Sequence, residues 1–377
     1  MPKPVQYHEG QFPPGSLDWP QLIAHIGPAN AAVARYDGTL SAVPNASVLL
    51  SPLMTQEAVL SSRIEGTQAT FGEVLEYEAG QDRSKFSPER KEDIGEVLNY
   101  RQAMHTALDM LKELPLCQRV IKRAHEVLLQ NVRGQGRSPG EYRKGPNWIG
   151  PPGCSIDEAR FVPISADKLP EAMSRWEAYI HEDAPDKLIQ LALLHAEFEA
   201  LHPFLDGNGR LGRMFVPLFM AQTGLIAGPM FYISAYFEAR RDEYYERLLA
   251  VSRDHDWTGW CTFFLQAIQA QAEENQRKAQ AILNLYESLK HRFAEQTHSQ
   301  YAIHALDWLF QRPIFKSTDF ITNPSIPDST SKRILKILKE KDILTELIPG
   351  GGRRAAVLAL PSLLQVAEQG EDLVDHE

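Results

Sequence analysis

The sequence contains few cysteines, and they form no recognisable pattern. The three are Cys117, Cys154 and Cys261, and no two of them are spaced as a CxxC pair. This excludes a disulfide scaffold and a zinc finger. It is typical of a protein from a reducing compartment, so we expect a cytoplasmic location.

The sequence also lacks a convincing membrane segment. Residues 1–15 have no apolar core and do not resemble a secretory signal. Residues 214–237 carry no charge, but Pro217, Gly224 and Pro229 interrupt them. A spanning helix needs about 20 predominantly apolar residues. We therefore expect a buried helix followed by a loop, and no membrane span.

The net charge of −10 disfavours a protein that binds nucleic acid over its whole surface. The charge is not uniform, however. Residues 311–360 contain nine Lys or Arg and five Asp or Glu. A local basic patch near the C-terminus is therefore expected.

Apolar periodicity predicts a mainly α-helical chain, and 377 residues are too many for one compact core of usual size. We expect three regions: an N-terminal region (1–85), a core (86–295) and a C-terminal domain (296–377). The predicted helices lie within 50–80, 92–130, 167–181, 186–201, 210–223, 240–253 and 262–294. The last of these is long and charged, and a role in dimerisation remains open.

Two further segments predict β-structure. Residues 147–149 and the segment around Phe161 favour a β-hairpin whose tip is Pro151-Pro152-Gly153. Near the C-terminus, three short helices precede two strands around a glycine-rich tip, which is the plan of a winged helix-turn-helix.

The third of these short helices is basic. Its cations are Lys332, Arg333, Lys336 and Lys339, and Arg353-Arg354 follow the glycines. DNA binding would need this helix in a major groove with phosphate contacts around it. A docking surface for targets, a contact with a second subunit and a merely solvated face are the open alternatives.

The most informative segment is His202–Arg213, with the sequence HPFLDGNGRLGR, between two predicted helices. Gly207 and Gly209 permit close approach of a ligand to the backbone. The following helix presents free N–H groups and a partial positive charge, which suits phosphate. Arg210 and Arg213 can give forked hydrogen bonds to phosphate oxygens.

Two side chains complete this set. Asp206 is a hard oxygen ligand suited to Mg²⁺ shared with phosphates. His202 can remove a proton near neutral pH. Because the chain contains no Gly-Lys dipeptide, a Walker A loop is absent. The combination predicts transfer of a phosphorus group from a nucleotide to a hydroxyl.

HPFLDGNGRLGR matches the HPFx[DE]GNGRxxR signature of the Fic family at every fixed position, and the resemblance extends over about residues 40–290. It implies a Fic-type helical bundle with a β-hairpin flap, here followed by a winged helix-turn-helix domain. It also implies transfer of AMP from ATP to a Ser, Thr or Tyr hydroxyl of a protein, with the chain itself as one candidate target.

The resemblance assigns roles to individual residues. His202 would take the target's proton, and Asp206 would hold Mg²⁺. The nucleotide would be bound by the segment Gly207, Asn208, Gly209, Arg210, Leu211, Gly212 and Arg213. Asn208 would lie nearest the α-phosphate, and Arg213 would bind the γ-phosphate. Residues 147–163 would form the flap that clamps the target. Tyr244 and Tyr245 would line the adenine pocket, with a place in the core as the alternative.

Ser61-Ser62-Arg63-Ile64-Glu65-Gly66 matches the family's inhibitory pattern [ST]xxxE[GN]. The resemblance implies that Glu65 pairs with Arg213 and blocks the γ-phosphate seat. Three alternatives remain open: transfer of another nucleotide group, removal of AMP with Glu65 positioning a water, and a DNA-binding regulator whose core domain only senses nucleotide.

Overall fold

The computed structural model describes residues 3–43, 45–80, 85–151, 153–351 and 355–369. The chain forms two compact units. Unit 1 is assembled from segments within residues 1–37, 60–67 and 98–273, and unit 2 from segments within 38–59, 68–97 and 274–377. The three consecutive regions expected from the sequence stay a prediction, and the units cut across their boundaries.

The described chain is mainly α-helical, as expected. Its α-helices are α1 (Trp19–Ala42), α2 (Ala46–Leu49), α3 (Ser51–Ile64), α4 (Phe71–Glu78), α5 (Pro88–Leu111), α6 (Gln118–Leu128), α7 (Leu169–Ile180), α8 (Lys187–Leu201), α9 (Asn208–Gln222), α10 (Ser234–Ala239), α11 (Arg241–Asp254), α12 (Trp257–Thr297), α13 (Ala302–Gln311), α14 (Ser317–Ile321), α15 (Asp328–Glu340) and α16 (Pro361–Gln369).

The strands form two small sheets. In unit 1, β1 (Val5–Gln6) pairs in parallel with β2 (Phe161–Val162). In unit 2, β3 (Ile314–Lys316), β4 (Thr345–Ile348) and β5 (Val357–Ala359) form an antiparallel sheet in the order β3-β5-β4.

Helix α8 is the central element of unit 1. A helix that is apolar on nearly all faces is buried, and all but two of the residues of α8 are buried. Two indole groups fix it from outside: Nε1 of Trp176 donates to the Leu194 carbonyl at 2.9 Å, and Nε1 of Trp260 donates to the Ala192 carbonyl at 2.7 Å. The residues that follow α8 therefore start from a rigidly held helix end.

Unit 2 buries one face of its sheet against α4. Phe71 and Leu75 of α4 pack in one apolar cluster with Ile314, Val357 and Ala359 of the sheet. The short helices α13, α14 and α15 precede strands β4 and β5, which is the chain order that the sequence predicts. Strand β3, between α13 and α14, was not expected. Arg353 and Arg354 lie outside the described residues.

The hairpin expected at residues 147–163 is reduced to one bridge, between Ile149 and Phe161. Pro152 of its expected tip lies outside the described residues. Between the paired residues, Ile156–Glu158 form a single 3-10 turn, because Ser155 and Glu158 hydrogen-bond to each other at 2.9 Å. The far edge of β2 pairs with β1, which the sequence did not predict.

The sequence does not predict helix α1, because it contains the helix-breaking pair Gly27-Pro28 and alanine supplies part of its buried face. The uncharged residues 214–237 form the buried end of α9 and a following loop, as expected, and also the start of α10. Within the described chain, no helix combines the length and apolarity needed to cross a bilayer.

Candidate active site

The turn between α8 and α9 has a defined backbone geometry. Helix α8 ends at Leu201, and His202 follows in the left-handed region (φ 46°) with its N–H donating to the Phe198 carbonyl at 3.1 Å. Gly207 (φ 77°) precedes α9. Left-handed backbone is easy for glycine but costs other residues about 1–2 kcal/mol. The turn therefore holds its histidine in a conformation that its surroundings must support.

Asn208 closes the turn with its side chain. Its Oδ1 accepts from the Phe204 N–H and its Nδ2 donates to the Phe204 carbonyl, both at 2.9 Å. Since Oδ1 and one of the two Nδ2 protons are engaged in the turn, a contact between Asn208 and an α-phosphate would use its main-chain N–H or the second Nδ2 proton. The first N–H groups of α9 start at this residue and give the positive end of the helix.

Arg213, on the second turn of α9, is bound by the end of α3. Its Nη2 donates to Oε1 of Glu65 at 2.7 Å and to the Ser61 carbonyl at 2.8 Å, and its Nε donates to Oγ of Ser61 at 3.0 Å. A Cβ atom on Gly209 would collide with the Glu65 carboxylate. The carboxylate therefore lies against the first turn of α9 as well as against the arginine.

The charges of this pair stabilise each other. Burial opposes ionisation of Glu65, but the Arg213 charge holds the pKa of the carboxyl below its ordinary value. Burial likewise disfavours the guanidinium, but Glu65 raises the pKa of Arg213. Arg213 is 1% exposed and the Glu65 side chain is 34% exposed. The carboxylate is thus ionised and reachable from solvent, whereas the arginine is enclosed.

A cavity of about 480 Å³ opens at this pair. Its polar and charged lining residues, with the glycine of the first turn of α9, are Glu65, Arg160, Glu199, His202, Gly209, Arg213 and Arg241, and the other lining residues are Ile149, Gly150, Pro151, Phe161, Ala196, Ala200, Tyr245, Leu248 and Leu249. The wall thus combines one imidazole and a helix N-terminus with an apolar side large enough for a small organic molecule.

Two ionisable groups in the wall have shifted pKa values. Burial lowers the pKa of His202 to about 4, so its ring is neutral at pH 7. Burial also raises the pKa of Glu199 to about 7, opposed by Arg213 and assisted by Glu65. Oε1 of Glu199 is buried without a hydrogen-bond partner among the described residues. Shifted groups that converge in a cleft are typical of functional sites.

Asp206 lies in the turn with its side chain 39% exposed. Its Oδ1 accepts from Nη2 of Arg210 at 3.3 Å, and its carbonyl accepts from Nε2 of His125 at 3.0 Å. Among the described residues, no cluster of three or more acidic, histidine or cysteine side chains could hold a metal. A single exposed carboxylate suits Mg²⁺ that takes its other ligands from phosphate and water, and not a metal held by protein ligands alone.

The two tyrosines occupy different places. Tyr245 lines the cavity. Tyr244 is 1% exposed, stacks on Phe237 and donates its hydroxyl to Nε2 of His195 at 2.9 Å. Its side chain does not line the cavity, so Tyr244 contributes to the site only by packing against His195 and Phe237.

Leu211 and Gly212 also lie behind the cavity. Leu211 is buried in α9. The Gly212 carbonyl accepts from Nδ1 of His195 at 3.0 Å, and a Cβ on Gly212 would collide with the Glu199 carboxyl. Gly212 therefore permits the close approach of α8 and α9.

Sequence reasoning missed several of these residues. Glu199, His125 and Arg241 carry no signature of their own. Their roles arise from contacts with chain segments far away in sequence. Only the position of Glu199, three residues before His202 on a predicted helix, hinted at proximity to the site.

Two parts of the chain match known families. Residues 23–109 match the Fic/DOC family N-terminal domain, and residues 115–220 match the Fic/DOC family domain. The chain carries Fic/DOC family domains. Domains of this family generally transfer nucleotide groups onto proteins.

Several solved structures share the fold of this chain. A Fic family protein from Desulfovibrio desulfuricans is 18% identical, with a TM-score of 0.60 over 93% of this chain and 98% of that one. A Fic domain containing signaling protein from Bacteroides thetaiotaomicron is 18% identical, with a TM-score of 0.53 over 68% and 97%. A fragment of Fic-1 from C. elegans is 18% identical, with a TM-score of 0.50 over 71% and 75%.

Proposed function

We propose that the chain is a protein adenylyltransferase that moves AMP from ATP to a Ser, Thr or Tyr hydroxyl and is inhibited by its own Glu65. The supporting observation is the composition of one cavity. It brings together His202, the first turn of α9 and Arg213, and the arginine is already neutralised by a carboxylate.

In the proposed reaction, the target's hydroxyl oxygen bonds to the α-phosphorus of ATP. The bond from that phosphorus to the bridging oxygen of the β-phosphate breaks, and pyrophosphate leaves. The hydroxyl proton passes to the imidazole of His202, which is neutral at pH 7 because burial lowers its pKa to about 4. In a loose transition state the attacking oxygen needs little help from a strong base, so a weakly basic imidazole suffices.

The N–H groups of the first turn of α9 would orient the phosphates, with Arg210 and Arg213 as forked donors. Bound Mg²⁺, held through Asp206, would neutralise phosphate charge. Tyr245, Leu248 and Leu249 supply the aromatic and apolar side of the cavity where the base would lie.

Inhibition follows from like charge. Glu65 is an ionised carboxylate seated on Arg213 and against Gly209. A γ-phosphate brought to the same arginine would have to displace this carboxylate, and poor placement by about 1 Å can cost roughly 100-fold in rate. The resting chain is therefore expected to turn over slowly.

The target is proposed to dock along residues 147–163. Trp148, Ile149 and Ile156 of this segment are exposed apolar side chains, and Ile149 lines the cavity. Main-chain pairing with an extended target segment would add to these side-chain contacts. This docking would place the target's hydroxyl beside the cavity.

For the C-terminal residues we propose a winged helix-turn-helix fold, supported by the order α13-β3-α14-α15-β4-β5. The contacts of α15 do not favour DNA binding as its function. Nη1 of Arg333 donates to the Thr297 carbonyl at 2.7 Å, Lys339 pairs with Glu346 at 2.5 Å, and Lys336 lies 3.7 Å from Glu340. Salt-dependent binding of duplex DNA by the full chain would restore that alternative.

The experiment uses the Glu65→Gly variant with Mg²⁺ and ATP labelled at either the α- or the γ-phosphate. We expect label on protein from α-labelled ATP only, and none when His202→Ala is added. Label from γ-labelled ATP would indicate transfer of a different group. Equal incorporation with and without His202 would contradict the proposed role of the imidazole.

A further inference from the structure

Arg143 is a buried cation that no sequence motif singled out. The residue is 3% exposed. Its guanidinium donates to four main-chain carbonyls: Nε to His202 at 3.0 Å, Nη1 to Gly145 at 3.3 Å, Nη2 to Leu201 at 3.3 Å, and Nη2 also to Ile164. All four partners are neutral. Its position is therefore set by carbonyl geometry and not by a counter-ion.

Two of these carbonyls lie where α8 ends and the turn between α8 and α9 begins. Leu201 is the last residue of α8 and His202 is its left-handed cap. The last carbonyls of a helix have no partner within the helix and carry its partial negative charge. A guanidinium there satisfies them and favours the strained backbone of His202. The Arg143 N–H adds a bond to the Pro203 carbonyl at 2.9 Å.

The other two carbonyls flank the segment proposed to bind the target. Gly145 precedes residues 147–163 and Ile164 follows them. Asn147 strengthens the link, since its Nδ2 donates to the Phe204 carbonyl at 3.3 Å and to the His202 carbonyl at 3.5 Å. One side chain thus joins both ends of the 147–163 segment to the turn that carries the imidazole.

We propose that Arg143 is a positioning residue that fixes the imidazole of His202 relative to residues 147–163. This role rests on the proposed function, because it concerns the alignment of the base with the target's hydroxyl. Arg143 is not among the residues of the cavity wall, so it acts through the backbone it binds. Its loss should reduce the rate of transfer and leave nucleotide affinity almost unchanged.

The geometry also predicts that lysine cannot replace it. Arginine presents five donors in a planar fork, whereas lysine is a compact charge on a flexible stem. A lysine could reach one or two of the four carbonyls, which are spread over three chain segments. Buried carbonyls left without partners cost about 1–3 kcal/mol each, so the turn would relax.

The test compares Arg143→Lys and Arg143→Gln in the Glu65→Gly background. The matched control is Arg123→Gln, since Arg123 is an exposed arginine of α6 that pairs with Glu126. We expect the Kd for ATP by calorimetry to stay within about threefold of the parent. Label incorporation from α-labelled ATP at saturating ATP should fall roughly 100-fold for both variants and should not change for the control.

Amide hydrogen exchange keeps the test independent of activity. Exchange at residues 202–205 should rise in both Arg143 variants and not in Arg123→Gln. If the Glu65→Gly parent incorporates no label, the proposed function fails, and the exchange result still decides the role of Arg143 in the turn. Incorporation within threefold of the parent, ATP affinity lost in proportion to rate, or unchanged exchange at 202–205 would each overturn the proposal.

Discussion

The carboxylate of Glu65 is bound to Arg213, the residue to which the proposed function assigns the terminal phosphate of ATP. It accepts a charge-assisted hydrogen bond at 2.7 Å and lies against the first turn of α9 at Gly209. Ser61 holds the same guanidinium from the other side. The arginine is thus preorganised, and removal of the carboxylate should leave a seat ready for an anion.

The Glu65→Gly variant is therefore expected to bind ATP more tightly than ADP. A hydrogen bond to a charged group contributes about 1.5–3 kcal/mol, which corresponds to roughly ten- to hundredfold in Kd. Calorimetry should show this preference for ATP in the variant and a much smaller one in the wild type. Glu113→Gly, which removes an exposed acid after α5, serves as the control. An ATP-to-ADP ratio that Glu65→Gly leaves unchanged would contradict the blocked-seat explanation.

Burial of the Glu199 carboxyl should make the free energy of unfolding depend on pH. Burial raises the pKa of this carboxyl from its ordinary value to about 7. Between about pH 4.5 and 7 the unfolded chain releases the proton and the folded chain retains it. The folded state then binds more protons, so this group's contribution to stability falls as pH rises through that window.

Glu199→Gln should remove this dependence. We expect the difference in Tm, variant minus wild type, to grow in favour of the variant from pH 4.5 to 7 and then to level off. Glu182→Gln is the control, because Glu182 is exposed after α7. A Tm difference that is constant over this range would show that Glu199 is ionised in the folded protein.

The residues of the turn between α8 and α9 were predictable because their functional side chains lie close together in the sequence. His202, Asp206 and Arg213 share one short segment with the glycines that position them. Arg143 was not predictable, since its donors serve carbonyls of three separate segments. Main-chain partners leave no pattern in the sequence.

At the scale of elements, strand β1 holds the outer edge of β2. Anchoring comes from the residues that follow it: Nε2 of His8 donates to Glu197 at 2.8 Å, and the Tyr7 hydroxyl donates to the same carboxylate at 2.6 Å. Glu197 lies on α8, five residues before His202. The N-terminal strand therefore connects β2, within residues 147–163, to the central helix α8.

His8→Ala should loosen this strand. It removes a buried hydrogen bond to the Glu197 carboxylate, and a hydrogen bond to a charged group contributes about 1.5–3 kcal/mol. We expect a lower Tm and faster amide exchange at residues 160–163. Gln6→Ala changes an exposed side chain of the same strand and should have neither effect. Unchanged exchange at 160–163 in His8→Ala would show that β1 does not support β2.

Elements with a strong local period were predicted, and those that depend on tertiary pairing were not. The pattern of residues 186–201 predicted α8 almost to the residue. Strand β1 has only two residues and exists because β2 offers it an edge. Residues 147–163 contain less β-structure than their pattern predicts, because the Ser155–Glu158 hydrogen bond turns the chain within this segment.

At the scale of the whole molecule, the turn between α8 and α9, the pair Ser61 and Glu65, and the cavity all belong to unit 1. This unit draws on three separated stretches of chain, including the short piece that carries Ser61 and Glu65. The sequence predicted the pairing of Glu65 with Arg213 through a family resemblance. It could not predict which segments share a core, because that depends on the packing of the entire chain.

Intact mass of the full chain after incubation with Mg²⁺ and ATP is the measurement that tests AMP transfer and its inhibition most directly. Glu65→Gly should gain the mass of one or more AMP groups, the wild type much less, and Glu65→Gly with His202→Ala none. If the chain is not its own target, each of the three proteins is added to a lysate with α-labelled ATP. The amount of labelled lysate protein should then be highest with Glu65→Gly, much lower with the wild type and absent with the double variant. Equal labelling by all three proteins, or none by any of them, would contradict a site that transfers AMP and is blocked by Glu65.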